Sequence, residues 1–366
     1  MEIQAAVLEG VGQPHRVRTV TLAPPKAGEV LVKIVATGLC ASDVNAIDGK
    51  RTLVPFPAVL GHEAAGVVAE VGAGVTSVSV GDHVVLSIVP SCGTCSWCSQ
   101  GITNFCSTAG NAMGDGTLFD GTRRLSMDGQ PLHHFLTVSS FAEYAVVPAS
   151  GVVRIPEQMP LDRAALLSCA VLTGFGSVVN TAKVRPGSSV AVFGCGGVGL
   201  NIVQGARIAG ADRIVAVDVT AEKLQIARSL GATDVIDASI DDPVTAIKDL
   251  VGGVDYAFEA LGREATIQQA WRTVAPRGEL VLVGLMAHGA TLTVDAGPFV
   301  NEQAIKGCYF GSSDLTQDVP RLVDLYLTGD LKLDELIGQR IGLADLDSAV
   351  GALRRGEGVR SVITFD

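Results

Sequence analysis

The chain has 366 residues, of which 48% are hydrophobic, 5% aromatic and 18% charged. This length suggests two domains, each with enough chain to bury a core. The formal net charge of -11 argues against binding that depends on neutralising phosphates, so nucleic acid is not an expected partner. The first ten residues lack the basic cluster and apolar run of a secretory signal, which makes the cytoplasm the expected location.

Short β-branched segments between glycine and proline turns predict that the first 150 residues are mainly β-structure. The predicted strands lie at residues 30–35, 66–71, 82–88 and 143–147. Residues 108–130 are rich in Gly, Asp, Thr and Ser and are predicted to form a long surface loop.

From residue 189 onward apolar strands alternate with helical segments, which predicts a parallel α/β sheet. The predicted strands lie at residues 190–193, 213–218, 234–236, 254–259 and 279–284, and the predicted helices at 197–209, 221–230 and 244–251. An amphipathic helix is predicted at 315–329. The strand predicted at 362–365 is expected to return to the first domain.

Residues 186–206 carry no charge and are long enough to cross a bilayer. The stretch contains six glycines together with Asn201 and Gln204, which is not the composition of a membrane span. We therefore expect no membrane association.

A glycine pattern follows the strand predicted at 190–193. Gly194, Gly196 and Gly199 fit G-x-G-x-x-G, and the next strand ends in Asp218. Such glycines permit a tight turn and bring the backbone close to a pyrophosphate at a helix N-terminus. Asp218 is expected to bind the adenosine ribose and to repel a 2′-phosphate, which favours NAD over NADP. Capping of the following helix is an alternative role for Asp218, and the two can coexist.

Four cysteines are clustered within fifteen residues, at Cys92, Cys95, Cys98 and Cys106. This spacing can place four thiolates around one zinc ion and leave no open position, which predicts a structural site. An iron-sulfur cluster is the alternative. The last spacing argues against it, because seven residues precede Cys106 where bacterial ferredoxins have three and then a proline.

Several further segments resemble the zinc-dependent alcohol dehydrogenases, in the long-form branch of the medium-chain dehydrogenase/reductase family. The resemblance runs through essentially the whole chain. It is carried by Gly28-Glu29-Val30, Ala36-Thr37-Gly38-Leu39-Cys40, Gly61-His62-Glu63, Gly81-Asp82-His83-Val84, the cysteine cluster, Thr173-Gly174-Phe175-Gly176, the glycine loop and Arg360-Ser361-Val362-Ile363-Thr364-Phe365.

The resemblance implies a Rossmann dinucleotide-binding domain over residues 171–309. It also implies a GroES-like catalytic domain over residues 1–170, completed by residues 310–366. A homodimer is expected, with a tetramer as the alternative.

The resemblance also implies a catalytic zinc held by Cys40, His62 and Cys169, and therefore two zinc ions per chain. Glu63 would stand beside this metal, and Asp43 would hydrogen-bond the second nitrogen of His62. Zinc would act as a Lewis acid on an alcohol whose hydride passes to the nicotinamide.

Ser42 resembles the family hydroxyl that takes the proton of the alcohol. Many relatives continue this relay to a histidine, but Asn45 stands at that position and an amide does not titrate near neutral pH. Water is one possible acceptor. His133 or His134 is another, although both are more simply interpreted as loop histidines.

The remaining family positions concern the cofactor and the substrate. The cofactor positions are Gly194, Gly196, Gly197, Val198, Gly199, Asp218, Lys223, Thr173 and Arg360, the last on the pyrophosphate. The substrate-pocket positions are Ser42, Thr52, Ile88, Asn111, Phe135, Leu136 and Leu285. This largely apolar lining favours aliphatic, allylic or aromatic primary alcohols and their aldehydes.

Three alternatives remain: a glutathione-dependent formaldehyde dehydrogenase, a polyol dehydrogenase and a non-catalytic dinucleotide-binding protein. Glutathione-dependent relatives carry an arginine where this chain has Gly110, although Arg123 or Arg124 could replace it. Polyol-type relatives usually lack the complete cysteine cluster.

Overall fold

The computed structural model describes residues 1–51 and 54–365. The chain forms two compact units. The first comprises Met1–Cys169, Asp314–Gly329 and Leu336–Asp366, and the second comprises Ala170–Ser313 and Asp330–Glu335.

Two sheets form the framework of the first unit. Their strands are β1 (Glu2–Leu8), β2 (Arg16–Leu22), β3 (Glu29–Gly38), β4 (Ala58–Val59), β5 (Glu63–Val71), β6 (His83–Leu86), β7 (Leu125–Met127), β8 (Gln130–Pro131), β9 (His133–His134), β10 (Tyr144–Pro148), β11 (Val152–Arg154), β18 (Gln339–Ile341) and β19 (Ser361–Thr364). One sheet has the order β8-β7-β2-β1-β4-β9 and the other β11-β6-β5-β3-β19-β18, with β10 also paired to β3. The prediction that the first 150 residues are mainly β-structure is confirmed.

Strand β3 is the centre of the second sheet. It pairs antiparallel with β5, β10 and β19, and in the last pairing Val362 lies opposite Gly38. The strand expected at 362–365 therefore does return to the first unit. Its pairing brings residue 360 close to the end of β3, where Cys40 follows.

Short helices connect or cover these strands. They are α1 (Ala41–Ile47), α2 (Ser107–Asp115), α3 (Leu161–Leu166), α9 (Leu315–Leu327) and α10 (Leu346–Arg354).

The prediction of a surface loop over residues 108–130 is wrong. Residues Ser107–Asp115 form a helix that buries Ala109 and Ala112, and Leu125–Met127 form a strand. Arg124, only 2% exposed, pairs with the buried carboxylate of Glu29. Polar composition suggested a loop, but small apolar residues spaced three apart and a buried ion pair order this segment.

The second unit is built on a parallel sheet of order β14-β13-β12-β15-β16-β17. These strands are β12 (Ser189–Phe193), β13 (Arg213–Asp218), β14 (Asp234–Asp237), β15 (Val254–Glu259), β16 (Val274–Leu282) and β17 (Ala304–Gly307), and the helices are α4 (Leu172–Gly176), α5 (Gly197–Ile208), α6 (Ala221–Leu230), α7 (Pro243–Val251) and α8 (Glu264–Thr273). Phe193, Phe258 and Trp271 are among its largest fully buried side chains. The predicted parallel α/β sheet is confirmed, and its strand order makes it doubly wound.

The helical run Leu161–Ala182 is long and apolar enough to cross a membrane by length and composition alone. However, 83% of an apolar 18-residue stretch within this run is buried inside the protein, as in the core helix of a globular domain. The run contains two π-helical segments, Leu167–Val171 and Ser177–Ala182. π-Helical segments are rare in proteins, and those that occur are often found at functional sites.

Candidate metal centre and dinucleotide loop

Four buried side chains meet in the first unit: Cys40, His62, Glu63 and Cys169. One potential ligand atom from each lies within 4.8 Å of the others. Cys40 follows β3, His62 and Glu63 stand at the start of β5, and Cys169 lies in the first π-helical segment. The fold thus brings together the three residues that the resemblance implies as zinc ligands, with Glu63 beside them.

Asp43 holds this cluster in place. Its Oδ2 accepts a hydrogen bond from the backbone N–H of Cys40 at 2.9 Å, and its Oδ1 lies 3.1 Å from His62 Nδ1. If Nδ1 donates its hydrogen to the carboxylate, the lone pair of His62 Nε2 is available to bind a metal ion. Asp43 and Glu63 are both fully buried, so neither is a solvated surface charge.

The donor atoms fit a zinc ion. Among the described residues, His62 Nε2 and Glu63 Oε2 are buried without a hydrogen-bond partner, a costly arrangement unless a ligand occupies the site. A hydrogen bond with Cys169 lowers the pKa of Cys40 well below its usual value, which favours the metal-binding thiolate. Two sulfurs and an imidazole nitrogen form a donor set typical of catalytic zinc sites.

Glu63, the carboxylate of the cluster, occupies a confined position beside Arg360. Burial raises its pKa to about 8, against the opposing effect of Arg360, which donates to Oε1. A Cβ on Gly38 would lie 2.3 Å from Oε2, so only glycine leaves room for this carboxylate. Arg360 also donates to the carbonyl oxygen of Leu39 at 3.2 Å. Its expected contact with a pyrophosphate stays a prediction.

The residues expected to line the substrate pocket are placed unevenly. Phe135 meets the imidazole of His62 edge-on, with ring centroids 5.6 Å apart. Ile88 and Leu136 are each 8% exposed. Asn111 is exposed on α2, and Leu285 is 44% exposed in the second unit. Thr52 lies outside the described residues.

Ser42 and Asn45 lie one turn apart on α1, and both are half-buried. Residues three apart on a helix share a face, so the two side chains can be consecutive members of one hydrogen-bonded relay. The expected proton relay therefore has a hydroxyl and an amide in sequence, with solvent reaching both residues.

His133 and His134 serve the local structure instead. His134 Nε2 accepts a hydrogen bond from the backbone N–H of Arg124 at 2.9 Å, and His133 Nδ1 accepts one from Arg123 Nε at 3.2 Å. Burial is the main cause that lowers the pKa of His134 to about 3. The interpretation of these two as loop histidines is wrong, since they form β9, but both are engaged in local hydrogen bonds.

The buried neutral His134 makes stability depend on pH. Between pH 6.5 and 3 the unfolded chain binds a proton that the folded protein excludes, so the free energy of unfolding falls as pH falls. We expect His134→Gln to remove about 3 kcal/mol of the loss between pH 6.5 and pH 4, because the amide oxygen can still accept from Arg124.

Urea unfolding of both proteins across this range measures the difference. The exposed His288 gives the control variant, His288→Gln, which should follow the wild type. Parallel pH profiles for wild type and His134→Gln would contradict the prediction.

The second candidate metal site is the four-cysteine lobe, residues 92–106. Its four thiol sulfurs lie within 4.8 Å of one another. Backbone N–H groups point at them, from Cys92 to the sulfur of Cys106 and from Cys95 to that of Cys92, each at 3.3 Å. The Thr108 hydroxyl and backbone amides lower the pKa of Cys92 to about 5. Four sulfurs with N–H support fit a closed, structural metal site.

The glycine loop lies at the carboxyl end of β12 in the second unit. Gly194 has φ +96°, and a Cβ on Gly199 would lie 1.7 Å from the carbonyl oxygen of Gly194. The tight turn therefore excludes side chains at both positions, and α5 begins directly after it with its N-terminal amides at the loop. This geometry suits a pyrophosphate.

Asp218 ends β13 beside this loop. Its Oδ2 accepts from the backbone N–H of Cys195 at 2.7 Å, and its Oδ1 accepts from Val219 and Thr220 at 2.8 and 3.0 Å. Both N–H groups bonded to Oδ1 precede α6, whose N-cap residue is Thr220 and which has no side-chain cap, so the capping alternative is not found. The expected ribose contact stays a prediction. Three further residues that are expected to contact the cofactor are half-buried in this unit: Thr173, Val198 and Lys223.

The sequence reasoning missed one buried polar residue at the metal cluster, Ser168. It adjoins Cys169 and is fully buried, with its hydroxyl bonded to the backbone of Ala64. A polar residue inside the apolar run 164–172 was the available signal.

Comparison with known proteins gives two family matches. Residues 26–157 match the alcohol dehydrogenase GroES-like domain and residues 197–328 the zinc-binding dehydrogenase domain. The S-(hydroxymethyl)glutathione dehydrogenase of Paracoccus denitrificans is 38% identical over 375 residues, covering all of both chains.

Two solved structures are similar throughout. The benzyl alcohol dehydrogenase of Acinetobacter calcoaceticus has a TM-score of 0.95 and 34% identity, with full coverage of both chains. An alcohol dehydrogenase zinc-binding domain protein from Burkholderia ambifaria has a TM-score of 0.95 and 37% identity, covering 100% of this chain and 99% of that one.

Proposed function

Because the chain belongs to the zinc-dependent alcohol dehydrogenases of the medium-chain dehydrogenase/reductase family, we propose that it oxidises a hydrophobic primary alcohol to its aldehyde with NAD and catalyses the reverse reaction. Aliphatic, allylic and aromatic alcohols are the proposed substrates. The observation that carries the proposal is the buried cluster of Cys40, His62, Glu63 and Cys169. We further propose two zinc ions per chain, one here and one in the four-cysteine lobe.

In this proposal Cys40, His62 and Cys169 hold the catalytic zinc. When bound, zinc supplies a Lewis acid to the oxygen of the alcohol or aldehyde. Asp43 orients His62, and the complete burial of His62 and Glu63 keeps bulk water from the ligands. Phe135, packed against His62, adds an apolar surface that favours hydrophobic substrates.

Ser42 takes the proton of the alcohol in the proposed reaction. Asn45 lies one turn further along α1 and can accept and donate hydrogen bonds without changing charge. With no titrating group at that position, the proton is passed to solvent water. Both residues are half-buried, in line with this route.

Asp218 directs the choice of cofactor. Its carboxylate stands at the carboxyl end of β13, beside the glycine loop, where a ribose hydroxyl is bound in this kind of fold. A 2′-phosphate there would meet a negative charge, so NAD is the proposed cofactor.

A second candidate function is oxidation of S-(hydroxymethyl)glutathione, which the 38% identical relative from Paracoccus denitrificans favours. Two observations argue against it. Gly110 stands where glutathione-dependent relatives carry arginine. Arg124, one potential replacement, is buried and is engaged with Glu29 and Asp120.

Gly110→Arg tests this distinction directly. Gly110 is exposed on α2 and a Cβ there would meet no atom within 4 Å, so the helix can carry the larger residue. A new charged hydrogen bond to the glutathione carboxylate contributes about 1.5–3 kcal/mol, so kcat/KM for S-(hydroxymethyl)glutathione should rise roughly 10- to 100-fold.

The matched control is Gly114→Arg, which adds the same charge one turn later at another open glycine of α2. Steady-state kinetics with S-(hydroxymethyl)glutathione should improve for Gly110→Arg alone. An equal gain in both variants, or none in either, would refute the specificity argument.

The proposed function is tested by NADH formation with aliphatic, allylic, benzylic and polyol alcohols and with S-(hydroxymethyl)glutathione, repeated with NADP. Highest kcat/KM with an apolar primary alcohol and NAD supports the proposal. Preference for S-(hydroxymethyl)glutathione or for a polyol would replace the substrate. Absence of turnover on every substrate, in protein that carries two zinc ions, would favour a non-catalytic role.

A further inference from the structure

Ser168 makes two hydrogen bonds to one residue of a distant strand. Its hydroxyl donates to the carbonyl oxygen of Ala64 at 2.9 Å and accepts from the N–H of Ala64 at 3.1 Å. The two residues are 104 positions apart in sequence, and Ser168 is fully buried. The contact therefore joins two separate elements in the buried interior of the first unit.

This arrangement is unusual for a serine in a helical run. Such a hydroxyl ordinarily bonds back to a carbonyl of the preceding turn of its own helix. Here it satisfies the backbone of a strand instead, and it uses its single donor and one acceptor position on the same partner. Two bonds to one residue fix the position and the direction of the hydroxyl relative to β5.

The two joined residues each adjoin metal-cluster residues. Ser168 immediately precedes Cys169, and Ala64 immediately follows Glu63 and comes two residues after His62. Asp43 connects Cys40 with His62 in the same cluster. Asp43 thus positions one cysteine, and the Ser168 hydroxyl is placed to position the other.

We propose that Ser168 is a positioning residue of the metal centre, whose paired hydrogen bonds to Ala64 hold Cys169 beside His62 and Glu63 and thereby slow the loss of zinc. The inference rests on the proposed function, because it requires a metal ion at this cluster. It concerns retention of the metal, which can be measured without turnover.

The first test is zinc release from Ser168→Ala into excess of a chromogenic chelator. Loss of a partner that orients a metal ligand typically costs 10- to 100-fold in metal affinity. We expect zinc at the Cys40 cluster to leave about 10-fold faster or more, while zinc in the four-cysteine lobe leaves at the wild-type rate. The cobalt-substituted variant should also show altered visible absorption, since ligand geometry sets that spectrum.

Two variants separate positioning from general destabilisation. Ser177 is also fully buried, and its hydroxyl donates to Gly174 O at 2.7 Å within its own helical run. Ser177→Ala should leave zinc release unchanged even if it lowers the melting temperature. Ser168→Thr keeps the hydroxyl and should restore release towards the wild-type rate.

Unchanged zinc release and an unchanged cobalt spectrum in folded Ser168→Ala would overturn the proposal. If that variant does not fold, the test is made on the wild-type protein. If the Ser168–Ala64 hydrogen bonds stabilise bound zinc, then bound zinc must equally stabilise those hydrogen bonds, because the coupling is reciprocal. Removing the zinc should then speed hydrogen exchange of the Ala64 amide, resolved residue by residue, more than that of Val68 in the same strand. Equal changes at both amides would overturn the proposal.

The outcomes also distinguish a failure of the Ser168 proposal from a failure of the proposed function on which it rests. Finding that the wild-type protein binds no metal at the Cys40 cluster would refute the proposed function itself. If the wild-type protein binds metal there but Ser168→Ala changes neither zinc release nor the cobalt spectrum, only the role of Ser168 would be refuted.

Discussion

Cys40→Ser is expected to lose one of two zinc ions and about a thousandfold in kcat for alcohol oxidation. Replacing the sulfur by a hydroxyl removes a thiolate ligand from a fully buried site. Lewis-acid stabilisation of the developing charge contributes several kcal/mol, and roughly 4 kcal/mol corresponds to three powers of ten in rate. Metal analysis and steady-state kinetics on the same preparation measure both effects.

Cys308→Ser provides the matched control. Cys308 is a partly buried cysteine of the second unit, and its sulfur contacts the hydroxyl of Thr181 rather than either cysteine cluster. This variant should keep both zinc ions and wild-type turnover. If Cys40→Ser also retained both zinc ions and full activity, the catalytic assignment of the cluster would be wrong.

Cys98→Ser is expected to lose the metal of the four-cysteine lobe and to lower the melting temperature by on the order of 10 °C. Within residues 92–106 only Asn104 and Cys106 are buried, so apolar packing contributes little to the order of the lobe. Metal binding at such sites supplies a free energy comparable to the whole stability of a domain. Calorimetry and metal analysis measure the two losses.

Ser99→Ala alters the neighbouring residue without touching a sulfur, since the Ser99 hydroxyl bonds to the carbonyl oxygen of Ser96. It should keep the metal and a melting temperature within a few degrees of wild type. Identification of the metal as iron would revive the iron-sulfur alternative. A Cys98→Ser protein that melts with the wild type would show that the lobe does not depend on its metal.

The parallel sheet of the second unit was predictable because its signals are local. Strands 190–193, 213–218 and 254–259 are largely apolar segments with glycine in the adjoining loops, and each is found within one or two residues of its predicted limits. The close approach that requires Gly199 likewise involves a residue only five positions away, Gly194. Such short-range constraints leave a readable pattern.

The candidate metal cluster depends on long-range contacts and was reached only through resemblance to a family. No local spacing connects Cys40, His62 and Cys169. The same limit explains the errors. Arg124 is ordered by a carboxylate 95 residues away, and Ser168 bonds a residue 104 positions away, so composition in a short window identifies neither.

The pairing of Arg360 with Glu63 has a consequence for the order of events during synthesis. The two residues are 297 positions apart, and Arg360 is also 320 positions from Cys40. At about 5–20 residues per second, a ribosome adds Arg360 roughly 15–60 s after Glu63. During that interval residues 170–313, the main segment of the second unit, are completed and can fold. The buried carboxylate obtains its counter-charge only when β19 joins β3, so the first unit reaches its final form last although its chain begins first.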